Sequence, residues 1–464
     1  VKKILVLGAG LVSRPMVRYL LDVPDFEVIV ATRTVSKAQE LVGTHPRGKA
    51  IALLVDDDAA LGRLVSECDL AVSLLPYTYH VKVANHCLEY RKSLVTTSYV
   101  SDAMRALDAQ AKAAGVIFLN EIGLDPGIDH MSAMKIIHDV QKAGGKVASF
   151  MSYCGGLPAP EANDNPLGYK FSWSPKGVVM AGRNDARYLK DGKEVFVPGA
   201  DLFGHRWPLK VADGFEFEAY PNRNSLPYIE LYGLAGVKTM LRGTLRNFGW
   251  CETLKAVADL GILKDDSVRT GIAKLTPAAW LRQYAPARDM TDSVEESDRV
   301  PSRSGLRADV AAKLGLKESD PVLQRFAWLG MFDEKPIGLE QGSNLDILAK
   351  LMLDRMTFKP RERDMVVLHH EFIAEYPATR NSSLVTRNSA RIFSTLIAFG
   401  EPGGDSAMAR TVSLPAAIGV RMILHGELKL TGVQIPVVPE IYEPVLAELT
   451  RLGIECKERK ALAA

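Results

Sequence analysis

The chain has 464 residues, 47% hydrophobic and 24% charged, and its 57 basic and 55 acidic side chains leave a formal net charge of +2. At about 100–200 residues per domain this length calls for two to four domains with real cores, and it excludes disorder, collagen and a disulfide-stapled miniprotein. The near-neutral balance lacks the positive field that makes nucleic acid or an anionic membrane the default partner, so the expected ligand is small.

Lys2-Lys3 and the apolar residues after them imitate a secretory signal, but Arg14 interrupts the run and Gly8 and Gly10 fall where a turn belongs. Residues 4–7 are the first expected strand, and Met16, Val17, Leu20 and Leu21 recur at helical spacing over 15–21. A second strand is expected at 26–31, a second helix at 35–42, and further strands at 50–55, 69–75, 93–97 and 116–120. The helix between the last two starts at the cap Ser101-Asp102 and stops at Gly115. This alternation specifies a parallel sheet covered on both faces, a Rossmann-type doubly wound α/β domain.

Past Gly123 a helix over 129–143 ends at Gly144-Gly145 and a strand follows at 147–153. The stretch 155–228 is rich in Gly, Pro, Asn and aromatics, which suits loops and strands around a site. From Arg242 to about Met356 the pattern is mostly helical and reads as an inserted helical subdomain. Strands return at 365–372 and 394–399, and helices at 406–426 and 441–452. No stretch approaches the ~20 apolar residues that cross a bilayer, so the chain is expected to be soluble. Cys68, Cys87, Cys154, Cys251 and Cys456 are scattered, with no CxxC pair and no zinc spacing. They read as reduced thiols of a cytoplasmic protein without a metal site.

Gly8-Ala9-Gly10-Leu11-Val12-Ser13 stands between the first strand and the first helix. There Gly8 makes the tight turn, Gly10 lets the backbone approach a pyrophosphate, and the helix N-terminus supplies N–H donors. Ser13 occupies the place usually held by a third Gly or Ala. At the end of strand two an acid would hold the ribose hydroxyls of NAD, and an arginine would accept the 2′-phosphate of NADP. The sequence there is Ala31-Thr32-Arg33-Thr34, with no carboxylate. Arg33 can clamp a phosphate with help from Thr34, Ser36 and Lys37. The bland alternative is a solvated loop arginine; the reading taken is NADP(H).

Longer runs are more specific: SLLPY at 73–77, TTSYV at 96–100, NEIGLDPGIDH at 120–130, YCGGLPAPE at 153–161, NPLGYKFSWS at 165–174, AYPNR at 219–223, RGTLR at 242–246, SAMA at 406–409 and GIECK at 453–457. Together they closely resemble the saccharopine reductase family, the NADP-dependent, glutamate-forming saccharopine dehydrogenases of the aminoadipate lysine pathway. The resemblance implies an NADP-binding Rossmann domain over 1–123, joined by C-terminal helices at about 405–426. It also implies a mixed-sheet α/β domain for substrate and dimerisation over 124–241 and 357–464, a helical insertion over 242–356, and a homodimer.

The reaction it implies is condensation of glutamate with 2-aminoadipate 6-semialdehyde and reduction of the imine to saccharopine, in either direction. Departures are Leu54, where a strand-three carboxylate is expected, a weak match over 265–320, and a long segment over 376–392. An imine reductase using another amine, similar to carboxynorspermidine synthase, and a non-catalytic dinucleotide-binding protein are the alternatives.

Saccharopine carries three carboxylates, so its site needs cationic forks away from the reacting C–N bond. By resemblance Ser98, Tyr99, Asp125, Arg223, Thr244, Leu245 and Arg246 contact substrate, and Arg242 is a weaker candidate, sharing a face with Arg246 if a helix starts that early. Cofactor contacts are expected at Gly8, Gly10, Leu11, Val12, Ser13, Arg33, Thr34, Leu75 and Ser174. The proton carriers near the motif runs are Tyr99, Asp125, Cys154 and His130; the first three are taken as catalytic, and His130 as a packed residue of the next helix.

Overall fold

Ile4, Leu5, Val6 and Leu7 have no exposed surface, as a strand covered on both faces requires. They form most of β1 (Lys2–Leu7) in a computed structural model that describes residues 1–173, 175–264, 266–286, 303–377 and 388–462. The chain divides into two compact units. One comprises Val1–Cys154, Leu231–Gly236 and Arg363–Ala464, the other Gly155–Glu230 and Val237–Glu362.

In the first unit β1 is followed by α1 (Ser13–Asp22), β2 (Phe26–Thr32), α2 (Val35–Val42), β3 (Gly48–Ala52), α3 (Asp58–Glu67), β4 (Leu70–Ser73), α4 (His80–Glu89), β5 (Ser93–Thr96), α5 (Asp102–Arg105), α6 (Asp108–Ala114) and β6 (Ile117–Leu119). A further strand, Gly432–Gln434, pairs in parallel with β6, and the sheet runs in the order Gly432–Gln434, β6, β5, β4, β1, β2, β3. β1 lies between β2 and β4. The winding therefore reverses between β1 and β4, the switch point where open α/β sheets take ligands.

Leu5, Leu7, Ile29, Ala71, Leu94 and Phe118 face a core shared with Leu61, Val65, Val83, Cys87, Met104 and Ala111 of α3, α4, α5 and α6. Strand three is shorter than expected, and Leu54 lies beyond its end with 62% of its surface exposed. It therefore cannot stand at a strand position. The helix expected over 101–115 is broken between Arg105 and Asp108. Strand Gly432–Gln434 is too short to show a period, and only its pairing with β6 reveals it.

The same unit contains α7 (Ile128–Lys142) and the start of β7 (Lys146–Pro158). It also holds a long antiparallel pair, Asp364–Tyr376 with Asn388–Phe399, and Lys457–Leu462 pairs with the second of these. The long segment expected over 376–392 falls largely outside the described residues. Helix Ala407–Leu424, capped by Ser406, corrects the expectation about apolar stretches: by length and composition it can cross a membrane. It is 72% buried and packs on α1 and on strand Asp364–Tyr376, as a core helix does.

The second unit contains α8 (Pro175–Ala181), the hairpin of β8 (Ala186–Lys190) and β9 (Lys193–Val197), and the antiparallel strands β10 (Trp207–Ala212), β11 (Phe215–Pro221) and β12 (Thr239–Arg246). Helices follow at Trp250–Asp259, Pro277–Arg282, Arg303–Leu314, Pro321–Trp328 and Asn344–Leu353. The helical reading from Arg242 is wrong for its first residues. They pair with β11 in the register Glu218↔Arg246 and Tyr220↔Thr244, so the helices begin at Trp250. Arg242 and Arg246 still share a face, because a spacing of four returns to one side in a strand as in a helix. The fold class is the expected one, a doubly wound parallel sheet with a mixed-sheet α/β region and inserted helices.

Candidate active site

Gly8 leaves β1 with φ +110 and donates its N–H to Ala31 O at 2.9 Å; a β-carbon there would lie 3.0 Å from Leu74 O. Both the turn and the close approach need glycine. At Gly10 a β-carbon would meet no atom within 4 Å, so the space over the loop is open to a ligand. Ser13 is fully buried, accepts the Gly10 N–H at 3.0 Å and donates to Gly8 O at 3.4 Å. The residue that departs from the usual fingerprint is thus the one that ties the loop.

Val12 caps α1 without a side-chain hydrogen bond, and Leu11 is exposed at the loop tip. The first N–H groups of α1 keep their capacity for an anion. Arg33 and Thr34 are exposed just past β2, and Leu75 is half-buried just past β4, next to the Leu74 that touches Gly8. Ser174 lies outside the described residues. These features fit a dinucleotide with a 2′-phosphate: an open glycine loop, an uncapped helix start, and an exposed arginine with no acid at the ribose end.

His80 opens α4 and is 4% exposed. Its Nδ1 lies 2.8 Å from Ser73 Oγ at the end of β4, and its Nε2 lies 2.8 Å from Ser98 Oγ and 3.3 Å from Thr96 Oγ1. Burial disfavours the imidazolium and pushes the pKa down to about 4. A neutral ring therefore fixes the hydroxyl of Ser98, a residue expected to touch substrate. The unfolded ring takes up a proton near pH 6.5, whereas the folded one resists until about pH 4. The stability of the neutral ring is therefore full above pH 6.5 and is lost as the pH falls towards 4, a change of about 3 kcal/mol. We expect the stability gap between wild type and His80→Gln, measured in urea, to shrink by about that amount from pH 7 to pH 4. A gap independent of pH would refute this.

Tyr99 donates its hydroxyl to Asp125 Oδ1 at 3.0 Å, bringing two of the expected proton carriers together. Asp125 sits in a turn closed by hydrogen bonds from Gly123 N–H to Pro126 O at 2.9 Å and from Ile128 N–H to Gly123 O at 2.9 Å. His130 is fully buried in α7, 2.8 Å from Glu121 Oε2 and 2.6 Å from Tyr232 OH. This is the packed role expected of it. Cys154 is half-buried on β7, and neither it nor the other four cysteines forms a disulfide among the described residues. Burial pushes the thiols of Cys68 and Cys456 up to about 12, which leaves those two unreactive.

In the second unit Arg242, Thr244 and Arg246 line one face of β12. Arg242 lies 4.2 Å over the Tyr228 ring, and Arg246 lies 5.0 Å from Tyr169 and 5.5 Å from Trp250. Both arginines are buried, and Arg246 Nη1 donates to Leu245 O at 2.8 Å. Aromatic faces and a backbone acceptor thus fix the plane of that guanidinium, as a fork for a carboxylate requires. Leu245 is fully buried against Gly155, where a β-carbon would come within 2.8 Å of Leu245 O. Arg223 is exposed on the turn after β11, with φ +54 and its carbonyl accepting from Arg187 N–H at 2.9 Å. Sequence reasoning missed His80, Glu121 and Trp250. His80 lies seven residues from Ser73, just past the motif run at 73–77, a spacing that signals nothing until the strand ends are brought together.

A family model of the saccharopine dehydrogenase NADP binding domain matches residues 4–119, and one of the saccharopine dehydrogenase C-terminal domain matches residues 123–454. The chain is 42% identical to the NADP(+), L-glutamate-forming saccharopine dehydrogenase of Saccharomyces cerevisiae, with 99% of each chain covered. To the enzyme of that name from Pyricularia oryzae it is 40% identical, again over 99% of each. Mitochondrial alpha-aminoadipic semialdehyde synthase of Mus musculus is 36% identical over 98% of this chain and 47% of its own length. A solved structure, the apo histidine-tagged saccharopine dehydrogenase (L-Glu forming) from Saccharomyces cerevisiae, matches with TM-score 0.87 and 40% identity over 99% of this chain and 100% of that one. With both of its domains matched and relatives of this identity along its whole length, the chain belongs to the saccharopine dehydrogenase family.

Proposed function

We propose that this chain is an NADP-dependent oxidoreductase that condenses L-glutamate with L-2-aminoadipate 6-semialdehyde and reduces the imine to saccharopine, reversibly, in lysine metabolism. The observation that carries the reading is the full-length identity of 42% to a saccharopine dehydrogenase of that specificity. The test is NADPH oxidation on mixing the chain with NADPH, glutamate and the semialdehyde. Turnover with diaminopropane in place of glutamate would point to another imine reductase, and NADPH binding without any turnover to a non-catalytic protein.

When bound, NADPH supplies the hydride for the imine carbon. Gly8, Gly10, Leu11, Val12 and Ser13 would hold the pyrophosphate, Arg33 and Thr34 the 2′-phosphate, and Leu75 and Ser174 the remaining contacts. Arg223 and Arg246, with Thr244 and the backbone of Leu245, take substrate carboxylates. Ser98 and Asp125 hold the amine side, while Tyr99, Asp125 and Cys154 are the groups that hold or move the proton as the carbinolamine loses water. Proton transfer by a placed group contributes ~10²–10⁴-fold.

Arg33→Ala should raise KM for NADPH about 10- to 100-fold, the effect of losing hydrogen bonds to a charged group, and leave KM for NADH nearly unchanged. Equal effects on both cofactors would remove Arg33 from the 2′-phosphate. Five cysteines without a disulfide among the described residues support a reducing, cytoplasmic setting. We also propose a homodimer, for which light scattering should give twice the mass of the chain.

A further inference from the structure

Glu121 is a buried carboxylate whose backbone adopts φ +55, the left-handed region that a non-glycine residue enters only at a cost in strain. What that conformation achieves is visible in its bonds. The Glu121 N–H donates to Ser98 O at 3.1 Å, and Glu121 Oε1 accepts the Val100 N–H at 2.9 Å. One residue therefore grips the peptide on either side of Tyr99.

The other carboxylate oxygen, Oε2, accepts from His130 Nε2 at 2.8 Å, and His130 Nδ1 meets Tyr232 OH at 2.6 Å. Glu121 and His130 also stand at the two ends of the turn that carries Asp125, so their contact closes it. A single buried pair thus fixes both partners of the Tyr99–Asp125 hydrogen bond, one through the backbone of residues 98–100 and the other through the turn of 122–129. Both groups lie outside the strands themselves: β5 ends at Thr96 and β6 at Leu119.

We propose that Glu121, locked by His130, is a positioning residue that sets the geometry of Tyr99 against Asp125 for proton transfer. The proposal rests on the activity assigned above and on a role for Tyr99 in it. A carboxylate suits the task because it accepts from Val100 N–H and from His130 at once, and both bonds are charge-assisted and shielded from water. Displacement of a reacting group by about 1 Å costs on the order of 100-fold in rate. Loosening this clamp should therefore appear in turnover and not in cofactor binding.

The experiment is a double-mutant cycle on the full chain, with saccharopine and NADP⁺ as substrates and NADPH affinity measured separately by fluorescence. Glu121→Gln and Tyr99→Phe should each lower kcat about 10- to 100-fold, with the Kd for NADPH within twofold of wild type. The double variant should be no slower than Tyr99→Phe alone, because that substitution already breaks the Tyr99–Asp125 bond through which Glu121 acts. His130→Gln should reproduce the pattern of Glu121→Gln. Losses that multiply in the double variant would overturn the proposal, as would Tyr99→Phe at wild-type rate. If Glu121→Gln and His130→Gln both fail to bind NADPH, the pair is a folding element and the proposal is wrong. A wild-type chain that binds NADPH but turns over no saccharopine refutes the assigned activity instead, and the positioning role falls with it.

Discussion

An Arg246→Ala variant is expected to show a KM for saccharopine raised about 30- to 700-fold, equivalent to about 2–4 kcal/mol, the cost of truncating one partner of a buried charged hydrogen-bonded pair. KM for NADP⁺ should stay within a few-fold. The size of the effect follows from pre-organisation. The guanidinium packs against the Tyr169 and Trp250 rings and donates to Leu245 O before any substrate arrives, so little side-chain entropy is lost on binding. Arg246→Lys keeps the charge and loses the planar fork, and should recover only part of the loss. A thermal melt distinguishes lost binding from lost packing, since Arg246 also covers two buried rings. An unchanged KM for saccharopine in a folded variant would remove Arg246 from the substrate site.

Gly127→Ala should be nearly inactive. The residue has φ +144, and a β-carbon would lie 2.0 Å from Gly123 O and 2.2 Å from Gly123 N. Backbone overlap of this kind has no flexible side chain to relieve it, so the turn must open. Asp125 is carried by that turn and accepts from Tyr99, and its displacement should lower kcat/KM by at least about 100-fold. The glycine loop is remote from this turn in sequence, and the Kd for NADPH should remain near wild type. Activity above a tenth of wild type would show that the turn accommodates the extra atom, or that Asp125 need not be held.

The dinucleotide half was legible in the sequence for a plain reason. A tight glycine turn after a buried strand leaves few alternatives, and the absence of an acid beside Arg33 is visible without coordinates. The boundaries of β2 and α2 follow from apolar runs confined to a few neighbouring residues, whereas β1 starts two residues before its apolar run, at Lys2. The segment from Arg242 misled, because a spacing of four between two arginines satisfies helix and strand alike. Its state is decided by pairing with β11, which lies more than twenty residues earlier in the chain.

The candidate site divides in the same way. Tyr99, Asp125, Arg223 and Arg246 were reached through motif runs, but nothing in those runs says which residues hold them. His80 beneath Ser98, Glu121 on both sides of Tyr99, and Trp250 against Arg246 are supports whose partners come from other elements. By itself the sequence determined the doubly wound sheet, the choice of a 2′-phosphate over a free ribose hydroxyl, and the family, because each is written in residues adjacent along the chain. The tertiary structure alone decided which groups His130 packs against and that Glu121 grips. Burial and hydrogen bonding between distant segments set those roles, and no local pattern encodes them.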